Sequence, residues 1–143
     1  MEIIGLFLFI AGFIIGLGAV TVIDLHGFMG RHSTYWTEAT TRTHKITKPL
    51  IWMGTILAII GGIIFYQNPE MKFAMWHSII AVILVINGFF LSFSVSPFLL
   101  QREKEGRAGE ILPAVWQRKI TVSFIVSFIG WWSAVLLLVI QLV

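Results

Sequence analysis

Long apolar runs alternate with shorter polar ones along this chain. Ile3 to Ile23 carries no charge, Leu50 to Tyr66 is apolar after Thr47, Lys48 and Pro49, Phe73 to about Leu100 is apolar with Ser96 and Pro97 near its end, and Ile120 to Val143 again has no charge. At a rise of about 1.5 Å per residue, helices of this length cross a hydrocarbon layer of about 30 Å. The pattern predicts four membrane spans at about 3–23, 50–66, 73–96 and 120–142. Pro49 suits the first turn of the second span, where its missing N–H would have no helical partner, and Pro97 is expected to kink or end the third. The fold class that follows is all-α: an integral membrane antiparallel four-helix bundle in one transmembrane domain, 1–143. Its connections fall at about 24–49 and 101–119, and both termini lie on one side. The first run opens on acidic Glu2 and has a long apolar core, so it is expected to be a retained span and not a cleaved signal.

Small residues recur every seven positions on each predicted span. They are Gly5, Gly12 and Ala19 with Gly16 in the first, Gly54 and Gly61 with Ala58 in the second, Ala74, Ala81 and Gly88 in the third, and Ser123 and Gly130 flanked by Ser127 and Ala134 in the fourth. Such stripes let membrane helices approach closely, and a seven-residue period favours left-handed packing at roughly +20°. They predict a tight bundle; Gly12 and Gly16 are alternatively suited to a homodimer face.

Charge settles the orientation this reading expects. Arg31, Arg42, Lys45 and Lys48 fall in one long connection and Arg102, Lys104, Arg107, Arg118 and Lys119 in the other, which leaves only Lys72 on the opposite side. Both long connections are therefore expected in the cytoplasm and both termini outside. The basic pI then reports orientation and contact with anionic lipid headgroups, and calls for no nucleic acid. No cysteine is present, which excludes disulfides, thiolate metal sites and thiol catalysis. Ser33 to Lys48 reads as a short interfacial helix leading into the second span, with Glu38 and Arg42 paired at i,i+4 and Thr37, Thr41, His44 and Lys48 on one face.

Ionisable residues inside a membrane are functional candidates by default, and only Asp24, His26 and His77 qualify, with His44 just outside. If the first helix persists to residue 26, His26 falls close to the small-residue stripe and Asp24 well off it. His26 and His44 then approach at similar depth and form a candidate axial pair for a haem iron. His77, near the opposite surface, would need a non-histidine partner. The candidate metal ligands are thus His26, His44 and His77. Trp36, Trp52, Trp76 and Trp116 lie near predicted interfaces, but Trp131 and Trp132 fall near the midplane, where an indole N–H wants a partner such as Asn87 or Ser92. Trp131 and Trp132 read either as a packed core pair or as a wall for a flat ligand, which makes His77, Asn87, Trp131 and Trp132 the candidate cofactor-binding set. No HExxH, paired-carboxylate, phosphate-loop or serine-triad pattern is present.

The runs GLGAVTVIDLHGFMGR, KPLIWMGTILAIIGGIIFY, INGFFLSFSVSPFLL and SFIGWWSAVLLL resemble small bacterial four-helix membrane proteins, distantly similar to copper-resistance D-type proteins and the four-helix membrane protoporphyrinogen oxidase. The resemblance covers most of the chain and implies an oligomeric bundle of the bacterial inner membrane that binds b-type haem. A histidine early in the first span of those relatives aligns with Phe9 here, and a lysine near the start of their third span with His77. The leading expectation is haem or porphyrin binding in a redox or haem-handling role. A non-catalytic scaffold or accessory subunit is the alternative, and a small-solute or ion transporter the third reading; whether the protein is an enzyme is left open.

Overall fold

The computed structural model describes residues 2–67 and 72–143, and all regular structure among them is helical. The elements are α1 (Glu2–Met29), α2 (Thr34–Phe65), α3 (Ala74–Phe90), α4 (Ser96–Lys104) and α5 (Ala114–Leu142). A π-helical turn, Leu91–Val95, joins α3 to α4, so Ala74–Lys104 makes one continuous span. Four helices are each long and apolar enough to cross a membrane, and the expected all-α four-helix bundle is what the chain forms.

The helices outrun the apolar stretches that predicted them. α1 has 28 residues and α2 has 32, or about 42 and 48 Å at about 1.5 Å per residue. Gly27 does not end α1. The turn falls at 30–33, where the Gly30 amide closes on the His26 carbonyl at 2.8 Å and Ser33 caps α2 by accepting from the Trp36 amide at 3.4 Å. The Thr37 hydroxyl bridges the same turn, donating to the Gly30 and Ser33 carbonyls at 2.7 and 2.9 Å. The interfacial helix expected over Ser33–Lys48 is therefore the first half of α2, with Pro49 inside it. A proline there removes one backbone donor, and packing against neighbouring helices carries α2 through it. Pro97 likewise does not end its span. It sits in the first turn of α4, directly after the π turn, whose wider coil gives the ring room over the preceding carbonyls.

α1 and α2 form the most intimate pair, and their small-residue stripes meet as the spacing predicted. A Cβ added to Gly12 would stand 2.7 Å from the Gly54 carbonyl oxygen and 2.8 Å from Ala58 Cα, and one on Gly61 would stand 2.7 Å from the Leu8 carbonyl carbon. Gly12 and Gly16 are consumed inside the chain, against α2 and Trp131, so neither is available as a dimer face. The third span behaves differently: Ala74 and Ala81 line a gap between α2 and α3, and Gly88 faces Trp52. Outward faces are apolar, with Phe7, Ile14 and Phe93 among the most exposed side chains, as a lipid-facing surface requires.

Turns 30–33 and 105–113 lie at one end of the bundle with nearly all the basic residues; this is called the charged end below. Lys45 pairs with Glu103 at 2.7 Å, tying α2 to α4. Buried Arg102 donates to the Arg107 and Glu110 carbonyls at 3.3 and 2.9 Å and holds the 105–113 turn in place. Within that turn, hydrogen bonding and charge from Glu110, with a further contribution from Glu105, raise the exposed Arg107 guanidinium above its ordinary value. At the other end, Gln141 Oε1 accepts from the Lys72 and Phe73 amides at 2.9 and 3.3 Å. The two halves of the interior differ in kind. Toward the uncharged end it is Phe9, Phe13, Phe65, Trp131, Ala134 and Leu138, whereas toward the charged end the buried side chains include Thr37, Thr40, Thr41, His44, Thr47 and Ser96.

Candidate functional site: two cavities, one satisfied and one not

A cavity of about 160 Å³ opens between α2 and α3 toward the uncharged end, walled by Phe9, Phe13, Tyr66, His77, Trp131 and Ala134. His77 is buried, and both its ring nitrogens are engaged. Nε2 lies 2.9 Å from the Ala134 carbonyl oxygen and Nδ1 lies 2.7 Å from the Tyr66 hydroxyl. A carbonyl only accepts, so Nε2 carries the proton of the neutral ring and Nδ1 accepts from Tyr66. Phe9 stands edge-on to the imidazole, with ring centroids 5.2 Å apart. The other polar side chains of this cavity are also spent, since the Thr55 and Ser78 hydroxyls donate to the Ile51 and Ala74 carbonyls of their own helices. Its volume falls below the roughly 300–1,000 Å³ of pockets that hold drug-sized ligands.

The second cavity, of about 80 Å³, lies toward the charged end, and every span contributes to it. α2 presents Thr40, His44, Lys48 and Trp52 at intervals of four, one face of a helix. α1 presents Asp24 and Gly27, the π turn presents Ser92, and α5 presents Thr121 and Ser123. Some of these groups are matched. Trp52 Nε1 donates to Ser92 Oγ at 3.0 Å, and Lys48 Nζ reaches Ser96 Oγ at 3.4 Å. Ser92 lies in the π turn and Ser96 directly follows it, and both meet α2. Turns of this kind concentrate at functional sites because the extra residue re-aims side chains.

Asp24 Oδ2 and His44 Nε2 are not matched: each is buried with no hydrogen-bond partner in the protein. His44 retains only 9% of its exposure, and it and Asp24 line the same cavity. Leaving a buried polar group unpaired costs roughly 1–3 kcal/mol, so two in one cavity mark a place built for something other than packing. A carboxyl, an imidazole and several hydroxyls around one small space can bind a small polar species by hydrogen bonding, or hold and pass a proton.

The expected histidine pair does not form across this space. His26 packs its ring on Trp36, with centroids 5.1 Å apart, and does not line the cavity with His44; its own Nδ1 is a third buried atom without a partner. Asp24 takes the inward position instead. A seven-residue stripe drifts about 20° per heptad on a straight helix, so three heptads beyond Gly5 the inward face has moved from residue 26 toward 23 and 27, and α1 meets the cavity through Ile23, Asp24, Gly27 and Phe28. Among the described residues no group of three His, Asp or Glu side chains is placed to hold a metal ion. As arranged, His26 and His44 do not offer two axial nitrogens across one space.

The remaining candidates separate as well. Trp131 is 3% exposed, wedged on Gly16 and edge-on to Phe13 at 6.1 Å, whereas Trp132 is 48% exposed on the outer surface. Consecutive helical residues diverge by about 100°, so the two indoles cannot wall one pocket. Neither Asn87 nor Ser92 serves them. Asn87 Nδ2 donates to the Ser123 carbonyl at 3.1 Å and to Ser127 Oγ at 2.8 Å, and its Oδ1 accepts from Ser123 Oγ at 2.8 Å, which clamps α3 to α5. Tyr66 and Thr40 escaped the sequence reading, which named Ser92 only as a partner for a midplane indole; it serves Trp52 instead. The four-residue spacing of Thr40, His44, Lys48 and Trp52 was a usable signal for one of them; nothing in the sequence signals the π turn that aims Ser92.

Fold and cavity together define a class: a multi-pass four-helix membrane bundle with an unsatisfied polar cavity near its charged end. No family model, curated protein or solved structure matches the chain.

Proposed function

We propose that this protein binds a small polar or ionised solute in the charged-end cavity, as a binding or transport protein of a bacterial cytoplasmic membrane, with Asp24 and His44 as the binding groups. The observation that carries the reading is the pair of buried, unpartnered atoms, Asp24 Oδ2 and His44 Nε2, in one cavity. Intramembrane ionisable groups are expensive to keep and are retained where they act. The gathering of Lys and Arg at that end supports a cytoplasmic placement for it, with both termini outside and anionic headgroups around the basic turns.

A panel of small ions and polar solutes, tested for thermal stabilisation of the detergent-purified protein, checks the reading. A stabilising solute is expected to raise the midpoint by mass action, and the shift should vanish in Asp24→Asn and in His44→Phe. A panel with no stabilising member, or a shift that survives both substitutions, would falsify it. The rival reading, b-type haem or porphyrin beside His77, draws on the aromatic walls of the other cavity and requires His77 to give up Tyr66 or Ala134. A Soret band in protein from haem-replete membranes, abolished by His77→Ala, would replace the solute reading with that one.

A further inference from the structure

A third space, of about 30 Å³, adjoins the charged-end cavity on its outer side. The two share Gly27, Thr40, Leu99, Ile120 and Thr121 in their walls, and the smaller continues to Arg31, Leu112 and Gln117 at the bundle's end. Gly27 stands at this shared neck, and a Cβ added there would meet only Ile120 Cγ2, at 3.9 Å. This is unlike Gly12, Gly54 and Gly61, whose missing Cβ atoms make room for a neighbouring backbone. The space Gly27 leaves is open.

The chemistry of the neck is one-sided. The Thr40 and Thr121 hydroxyls donate backward to the Trp36 and Gln117 carbonyls at 2.7 and 2.8 Å, so each turns its oxygen lone pairs to the passage as acceptors. Deeper in are Asp24 Oδ2 and His44 Nε2. Two cations stand along this route: Arg31, whose guanidinium lies over the Phe28 ring at 5.5 Å, lines the outer space, and Lys48, whose Nζ reaches Ser96 Oγ at 3.4 Å, lines the inner one. Toward the uncharged end the interior is filled, first by the Asn87, Ser123 and Ser127 clamp, which a surface groove lined by Phe90, Arg118 and Lys119 flanks, and then by Trp131 wedged on Gly16. A water needs only about 10–15 Å³ of such space, so both volumes admit water-sized occupants.

We infer that Asp24 and His44 are reached from the charged end alone, through a neck at Gly27, Thr40 and Thr121 that passes water and small cations. This deepens the solute-binding reading and rests on it for the role of Asp24 and His44, although the route itself is tested without any solute of that panel.

The native chain has no cysteine, so a single thiol reports access. Val95 lines the cavity, is 3% exposed and is close in size to cysteine. The probe is silver ion, supplied as the nitrate in chloride-free buffer to either face of sealed vesicles carrying Val95→Cys. A companion Glu105→Cys protein treated with an impermeant maleimide identifies the face that holds the charged end. Silver on that face should consume the thiol at least tenfold faster than silver on the other. Gly27→Leu in the same background should slow it at least tenfold, and Gly27→Ala should leave it nearly unchanged. Equal rates from both faces, a thiol that reacts only after the protein is denatured in detergent, or a Gly27→Leu protein that folds and reacts as fast as its parent would each overturn the inference. If Gly27→Leu does not fold, the comparison of faces decides alone. Loss of side-dependence leaves the Asp24-dependent thermal shift untouched, so the two proposals fail separately.

Discussion

Two cavities of this bundle each contain a histidine beside a neighbouring polar group, and there the likeness stops. At the uncharged end, His77 spends one ring nitrogen on Tyr66 and the other on Ala134. At the charged end, His44 Nε2 and Asp24 Oδ2 meet no protein partner. The first arrangement joins helices through the protein's own hydrogen bonds, whereas the second leaves a buried carboxyl and imidazole that make no such bond and add nothing to the packing. Residue type alone therefore did not distinguish a structural histidine from a candidate binding one; the partners of each nitrogen did.

Substitutions test that difference by the size and sign of their effect on stability, read by unfolding in mixed micelles. The largest effect breaks the frame on which both cavities depend. Gly61→Val places methyls where the α1 backbone already lies and should cost about 3 kcal/mol or more, beyond ordinary overpacking because backbone, not side chain, must move. His77→Phe keeps the ring volume but strands the Tyr66 hydroxyl and loses both bonds, for a loss of about 2 kcal/mol. Asn87→Leu removes the clamp between α3 and α5 and should cost about 1–2 kcal/mol, given roughly 0.6 kcal/mol for a typical interhelical hydrogen bond in a membrane. At the charged-end cavity the sign should change: with no partner to lose, Asp24→Asn is expected to be neutral or to stabilise by up to about 1 kcal/mol. The smallest effect belongs to the exposed Glu38–Arg42 pair, whose removal should change stability by less than about 0.5 kcal/mol.

The spans, the antiparallel order and the close meeting of α1 with α2 were legible because hydropathy and small-residue spacing are local signals. Helix ends were less legible, since Gly27, Pro49 and Pro97 are local breakers that tertiary packing and a π turn override. The site was half legible. Asp24 and His44 were both candidates, but the small-residue stripe pointed to His26, and it is Asp24 that lines the cavity with His44. The pairing of Tyr66 with His77 joins residues on different helices near one end, and no periodicity within either helix announces it.

The most direct test of the account compares Asp24→Asn with His77→Phe in the same solute-free detergent and reads the unfolding free energy of each against the parent. The account predicts that His77→Phe loses about 2 kcal/mol while Asp24→Asn loses nothing. A loss at Asp24 as large as the loss at His77 would mean that its carboxyl group serves the fold, and would contradict the assignment of the charged-end cavity as a binding site.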